Sequence, residues 1–384
     1  MKLNYPVGYK ALTLVKDNQE EQSIEKHVLD ICKRNHKKLM QNSGEIVLVL
    51  TYKCNFACPY CYEDAKSYKK NIVMTMDMVD KIFALQTSDL KNINLYGGEP
   101  LLPETRSIIE YIISKKPDVT YHIITNGYYL VEFIDVLKKM NLSNIMVTLD
   151  GPEEIHNKTR ILKNGTETYR KIMQGVELCL KNKIAIKIRM NVSQQNIDQC
   201  LKLRDELIQE YVNEYSNKLL IFELQPIFQS SFEVRNNLNI SSHGNPYKYN
   251  VMALSMSHIL KNFINSSKKI FRPKYCFCDA EGRRLFYDPE GKIYSCILSL
   301  KNENASVGTY YPEFLLKKNS IYTRTIETIE KCRDCKFKFI CGGGCAYNVL
   351  NAKGDVMQPN CQNTLYEIYY ELPYLYKKYT QHIK

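Results

Sequence analysis

The sequence predicts an α/β protein, an open, partial (β/α)6 TIM-like barrel followed by a cysteine-rich C-terminal domain. Three observations carry that expectation. Between Ile46 and Phe228, six short apolar runs alternate with amphipathic stretches. The runs are rich in Val, Ile and Leu and several are nearly continuous, as strands buried on both faces are. After Phe228 the pattern stops, and eight of the fourteen cysteines fall between Cys276 and Cys361.

The elements follow in chain order. In residues 1–45, "GYKALTLV" reads as a strand, and Ile24, Val28, Ile31 and Cys32 share one face of a helix through "IEKHVLDICKRNHKKLM". This segment is short for an independent domain and is expected to cap the barrel or meet a partner. The six strands are "IVLVLTY", "INLYGGEP", "YHIITNG", "IMVTLDG", "IAIKIRMNV" and "LLIFELQPIF". Thr75 reads as an N-cap, with Val79, Ile82 and Phe83 on one face of the helix behind it. Ile108, Ile109, Ile112 and Ile113 make a second stripe, and Phe133, Val136 and Leu137 a third. Such alternation implies right-handed βαβ units around a parallel sheet, and six units leave the barrel open. Ligands of parallel α/β folds sit at the C-terminal strand ends, where the glycines and polar residues of these runs fall. The barrel is assigned to residues 46–235, a bridge containing "VMALSMSHILKNF" to 236–275, and the cysteine-rich domain to 276–384.

Composition narrows the function. The chain of 384 residues is 44% hydrophobic and 24% charged, as ordinary soluble proteins are. No apolar run approaches a membrane span, and "MKLNYPVGYK" lacks the apolar core of a signal peptide. Many cysteines without an export signal point to a reducing cytoplasm, where thiols serve metals or chemistry. The net charge is +12, yet the basic residues are scattered and no RNA-recognition signature accompanies them. That argues against a nucleic-acid partner.

"LTYKCNFACPYCYED" sets Cys54, Cys58 and Cys61 on a loop behind the first barrel strand. A tetrahedral zinc site would have to find its fourth ligand elsewhere. A cubane [4Fe–4S] cluster could take three thiolates here and leave one iron open. The spacing Cys-x3-Cys-x2-Cys, with Tyr60 before the last cysteine, resembles the radical S-adenosylmethionine (SAM) superfamily. The resemblance implies that the open iron chelates SAM, and that an electron from the cluster cleaves it to a hydrogen-abstracting 5′-deoxyadenosyl radical. Other segments match the family in order. "YGGEP" supplies Gly97, Gly98, Glu99 and Pro100, where the backbone approaches the ligand and Glu99 or carbonyls accept its ammonium group. "TNG" turns Asn126 toward the cofactor, and "TLDGPEEIHNKTR" brings Thr148 within reach of the ribose. Arg189, on a buried strand, requires an anion, for which the SAM carboxylate is the candidate. His156 and Arg160 fit a structural loop network better than a catalytic one.

The C-terminal cysteines read Cys278-x12-Gly291-x4-Cys296, then Cys332-x2-Cys335-x5-Cys341-x3-Cys345, then Cys361. "CRDC" alone would suggest a zinc ribbon. The whole array resembles the SPASM domain of radical SAM enzymes, which carries two auxiliary [4Fe–4S] clusters, making three in all. The resemblance assigns Cys332, Cys335, Cys341 and Cys361 to an outer cluster, and Cys278, Cys296 and Cys345 to an inner one. Cys276 is expected to close the inner cluster, the alternative being an iron left open for a substrate thiolate. Cys32, Cys179 and Cys200 read as small buried hydrophobes.

The resemblance implies a maturase of ribosomally made peptides (RiPPs), installing a thioether or carbon–carbon crosslink. Its partners would be a precursor peptide and a reductant such as a flavodoxin or ferredoxin. Leader recognition would fall to residues 1–45, the SPASM domain or a separate protein. One alternative is a formylglycine-forming enzyme of the sulfatase-maturating type, but Ile297 stands where that branch has an aspartate. Another is a non-enzymatic iron–sulfur or zinc scaffold.

Overall fold

The computed structural model describes residues 2–4, 13–15, 18–41, 44–61, 63, 70–86, 89–192, 196–212, 215, 219–226, 273–278, 284–317, 321–335 and 337–361. The expected bridge helix at "VMALSMSHILKNF" lies outside these residues. Strand β1 (Lys2–Asn4) pairs antiparallel with β2 (Thr13–Val15), and helix α1 (Asn18–Gln41) follows. Only β2 falls within the run that reads as a strand.

All six expected barrel strands form. They are β3 (Glu45–Val49), β4 (Asn92–Tyr96), β5 (Thr120–Thr125), β6 (Leu142–Leu149), β7 (Ile186–Val192) and β8 (Leu220–Pro226). They pair in that order and all in parallel. The crossovers carry α2 (Met76–Leu85), α3 (Arg106–Lys115), α4 (Leu130–Leu137), α5 (Glu153–Thr159), α6 (Tyr169–Lys181) and α7 (Ile197–Val212). Thr75 caps α2 by accepting from the Met78 N–H at 3.3 Å, and Val79 and Ile82 are buried behind it.

The sheet has two unlike faces. Ile46, Leu48, Ile93, Leu95, Ile123, Ile145, Val147, Ile186 and Ile188 pack with the helices into one large core. Each such fully buried aliphatic side chain contributes about 1.5–3 kcal/mol. Side-chain alternation sends Asn94, His122, Asn144, Thr148, Lys187 and Arg189 to the other face. There Val47, Val49 and Tyr96 meet Phe286, Tyr294 and Leu300 from the C-terminal region.

The C-terminal region is stitched to the barrel. β9 (Leu285–Tyr287) pairs in parallel with β3, and β10 (Lys292–Tyr294), β11 (Gly308–Thr309) and β12 (Leu315–Leu316) continue the sheet antiparallel to ten strands. The expected hairpin "YDPEGKIYSC" is the β9–β10 turn. Asp288 Oδ1 accepts from the N–H groups of Glu290 and Lys292 at 3.0 and 2.8 Å, and Gly291 takes φ +83°. Helix α1 turns Val28 and Cys32 onto Ile326, Ile329, Cys332 and Phe339, so its buried face covers the cysteine-rich region. Periodicity alone does not distinguish that from capping a barrel.

Candidate active site

The loop bearing Cys54, Cys58 and Cys61 leaves β3 and is braced on two sides. The Gly98 N–H donates to the Thr51 carbonyl at 2.9 Å, and the Glu99 N–H to that of Lys53 at 2.8 Å. Opposite, Ala57 N–H donates to Ile161 O and Lys163 N–H to Asn55 O, both at 3.0 Å. A Cβ on Gly98 would collide with the carbonyls of Tyr52 and Lys53, and one on Gly97 with that of Thr51. These glycines therefore admit the cysteine loop itself. Pro100 follows in the same turn, where its carbonyl accepts from Thr105 Oγ1 at 2.5 Å.

Glu99 ties the ends of β4 and β5 together. Its Oε1 accepts from the Leu101 N–H (2.9 Å) and Thr125 Oγ1 (2.6 Å), and its Oε2 from the Asn126 N–H (2.7 Å). Burial pushes this carboxyl up to about 7, against those three donors. Asn126 Nδ2 reaches Asn55 Oδ1 at 2.7 Å and Cys54 Sγ at 3.8 Å, and the Phe56 N–H reaches the same sulfur at 3.4 Å. Among the described residues, no acceptor meets the buried Asn55 Nδ2. Burial raises the Cys54 and Cys58 thiols, so a proton is held unless a cation replaces it. Soft thiols, donors aimed at sulfur and an unused N–H beside them fit an iron–sulfur cluster with its sulfide and thiolate acceptors.

Behind the loop, Tyr60 donates to Asp150 and accepts from Arg160 Nη1 at 2.9 Å. Asp150 Oδ2 also accepts from Thr159 Oγ1 at 2.9 Å. Arg160 stacks over Phe56, 5.5 Å from its ring centre, and its charge opposes the upward shift of Cys58. His156 is fully buried and lowered to about 3 by that burial. Its Nδ1 accepts from the Asp150 N–H at 3.5 Å, so Nε2 carries the proton that faces Thr168 Oγ1 at 3.1 Å. The structural loop network expected for His156 and Arg160 is what they form, with Tyr60 as a member.

Thr148 on β6, Arg189 on β7 and Glu223 on β8 stand in register on the face away from the helices. Arg189 does project inward, and it already has an anion. Glu223 Oε1 accepts from its Nε at 3.0 Å and its Nη2 at 2.8 Å. Glu223 escaped the sequence reading, though the alternation of "LLIFELQ" puts it on the same face.

The C-terminal cysteines gather from four segments. Cys332 is raised to about 11 by burial, then by Cys341 and Cys335, with Arg324 opposing and Cys361 adding to it. The Cys335 N–H donates to the Cys332 carbonyl at 3.2 Å, and Cys341 Sγ lies 4.0 Å from the carbonyl of Asn360, the residue before Cys361. The Cys276 backbone abuts Gly342, whose Cβ would lie 2.5 Å from its carbonyl carbon. Cys276 Sγ itself lies 3.6 Å from His36 Nδ1 of α1. Cys296 packs against the cluster of Ala305, Ile321 and Ala346, the last of which opens the helix Ala346–Lys353 that starts after Cys345. Cys278 is exposed. Among the described residues, no three His, Cys, Asp or Glu side chains converge as ligands of one metal ion. Thiolates of a cubane bind separate irons and stand further apart. Cys179 and Cys200 are fully buried and pushed to about 12, as inert core thiols are.

Residues 48–207 match the model of the Radical SAM superfamily. The matched segment runs from β3 into α7 and includes the loop of Cys54, Cys58 and Cys61. Among its relatives is the radical SAM cyclopropyl synthase TigE of Paramaledivibacter caminithermalis, 25% identical over 359 residues, covering 84% of this chain and 74% of TigE. The GTP 3′,8-cyclase of Clostridium perfringens is 27% identical over 323 residues, covering 77% and 95%. The fold is shared with native anSMEcpe with bound AdoMet and Cp18Cys peptide, at TM-score 0.61 and 18% identity over 88% of this chain and 98% of that one. It is shared also with Streptococcus suis SuiB bound to its precursor peptide SuiA, at 0.56 and 16% over 90% and 80%.

Proposed function

We propose that the protein is a peptide maturase that removes hydrogen from a ribosomally made peptide or protein and closes a thioether or carbon–carbon crosslink. The carrying observation is the sheet pairing of β9 with β3, which joins the cysteine-rich region to the strand that feeds the Cys54–Cys61 loop. We assign Cys54, Cys58 and Cys61 to the SAM-binding cluster, and Cys332, Cys335, Cys341 and Cys361 to the outer auxiliary cluster. Cys278, Cys296 and Cys345, closed by Cys276, hold the inner one. When bound, these groups supply a hydrogen-abstracting radical in the barrel and an electron acceptor near the substrate.

The chain's own residues do the positioning. Glu99 and Asn126 fix the strand ends around the cysteine loop, while Thr148 and Arg189 offer SAM a hydroxyl and a guanidinium. The anSMEcpe and SuiB structures that share this fold hold bound peptides, which supports a peptide substrate. The name of TigE describes closure of a carbon ring, which supports bond formation over hydrolysis or transport. The GTP 3′,8-cyclases are the basis of a nucleotide alternative.

The test is anaerobic co-expression with short reading frames encoded beside the gene. The product should be a peptide lighter by two hydrogen atoms per crosslink, with 5′-deoxyadenosine formed alongside. GTP consumed with no peptide changed would replace this reading with the nucleotide one.

A further inference from the structure

The cysteine-rich region is arranged around one charged side chain that no ligand assignment uses. Arg324 is fully buried. Its Nε donates to the Val356 carbonyl at 2.6 Å, and its Nη1 to that of Gly344 at 2.6 Å. Its Nη2 donates to Gly343 O at 2.6 Å and Gln358 O at 3.0 Å. The acceptors belong to two segments. Gly343 and Gly344 separate Cys341 from Cys345, and Val356 and Gln358 lead to Cys361.

The geometry of the first segment is fitted to this cation. Gly342, Gly343 and Gly344 take φ +60°, +85° and +72°, conformations open to glycine, and the last two turn their carbonyls onto the guanidinium. The two segments also bond to each other, through the Asn360 N–H and Gly343 O at 3.0 Å. A Cβ on Gly344 would run into the Asn360 carbonyl. A guanidinium held in a dry interior lowers the energy of an anion placed beside it. A cubane held by four thiolates is such an anion, and reduction makes it more negative.

We propose that Arg324 is a positioning residue for the outer auxiliary cluster: it locks the Cys341 and Cys361 segments in register, and its charge favours the reduced state. The proposal rests on the outer-cluster ligand assignment made above. Lysine at this position keeps the charge but loses the fork, whereas glutamine loses both.

The experiment compares the full-length parent with Arg324→Gln and Arg324→Lys after anaerobic reconstitution. It reads iron and sulfide per chain and the midpoint potentials followed by electron paramagnetic resonance, with no substrate present. Arg324→Gln should lose roughly a third of the iron, or keep it with one auxiliary midpoint shifted to more negative potential. Arg324→Lys should lose part of that iron and hold the remaining signal at the parental potential. Parental iron with unshifted potentials in Arg324→Gln overturns the proposal. If that variant does not fold, Arg324→Lys decides: full iron or a shifted potential overturns it. A parent without auxiliary-cluster signals overturns the outer-cluster assignment as well, which separates the two failures.

Discussion

Arg189 and Glu223 bond in register across β7 and β8, so each side chain tests the other. If the guanidinium meets the SAM carboxylate, Glu223 competes for it. Arg189→Ala should then weaken SAM binding by about 1.5–3 kcal/mol, the range for a charge-assisted hydrogen bond, whereas Glu223→Gln should strengthen it. Calorimetric titration with SAM checks both, and equal weakening by the two variants would remove Arg189 from the site. His156 gives a pH test. Its folded pKa, about 3, lies below the ordinary 6.5, so it binds its proton more readily unfolded. Its stabilising contribution is therefore present above pH 6.5 and lost as pH falls toward 3, by at most about 1.4 kcal/mol per unit. The gap in urea midpoint between the parent and His156→Gln should narrow from pH 7 to pH 5. A constant gap would mean that the imidazole is not held neutral. At this scale the thiols were legible because spacing is local. Asn55, Glu223 and Arg324 were not, because their partners are distant in sequence.

Strands and helices were the most readable level, and the reasons differ by element. The β3–β8 runs carry Val and Ile on the helix-packed face, and Thr75 announces α2 through its hydroxyl. By contrast β9 is three residues long, and its partner β3 lies more than 200 positions earlier, so no periodicity marks the pairing. The turn after β4 gives the sharpest element-scale prediction. Its two glycines lie against the carbonyls of Thr51, Tyr52 and Lys53. Gly98→Ala must push the β4 turn off the cysteine loop, at a cost of about 1–3 kcal/mol for overpacking. The variant should melt earlier and retain less iron at the Cys54, Cys58 and Cys61 site than the parent. Unaltered melting and iron content would show that the turn and loop move apart freely.

Among the described residues, one ten-stranded sheet carries helices on one face of β3–β8 and the cysteine-rich region on its β3 side, while β1 and β2 form a separate pair. Tyr52, two residues before Cys54, donates to Asp288 Oδ2 in the β9–β10 turn at 2.8 Å, linking the cysteine loop to the C-terminal hairpin. Helix α1 adds a second brace, with Lys33 paired to Glu327 at 2.7 Å. Such an arrangement holds the loop of Cys54, Cys58 and Cys61 and the C-terminal thiols in one framework, which is what the proposed reaction, with separate initiation and electron-removal steps, would require. The most direct measurement is iron and sulfide analysis with a SAM cleavage assay on the anaerobically reconstituted parent and its Cys54/Cys58/Cys61→Ala variant. The account predicts about twelve irons per parent chain, about four fewer in the variant, and 5′-deoxyadenosine from the parent alone. Zinc in place of iron, or SAM cleavage that survives in the variant, would contradict it.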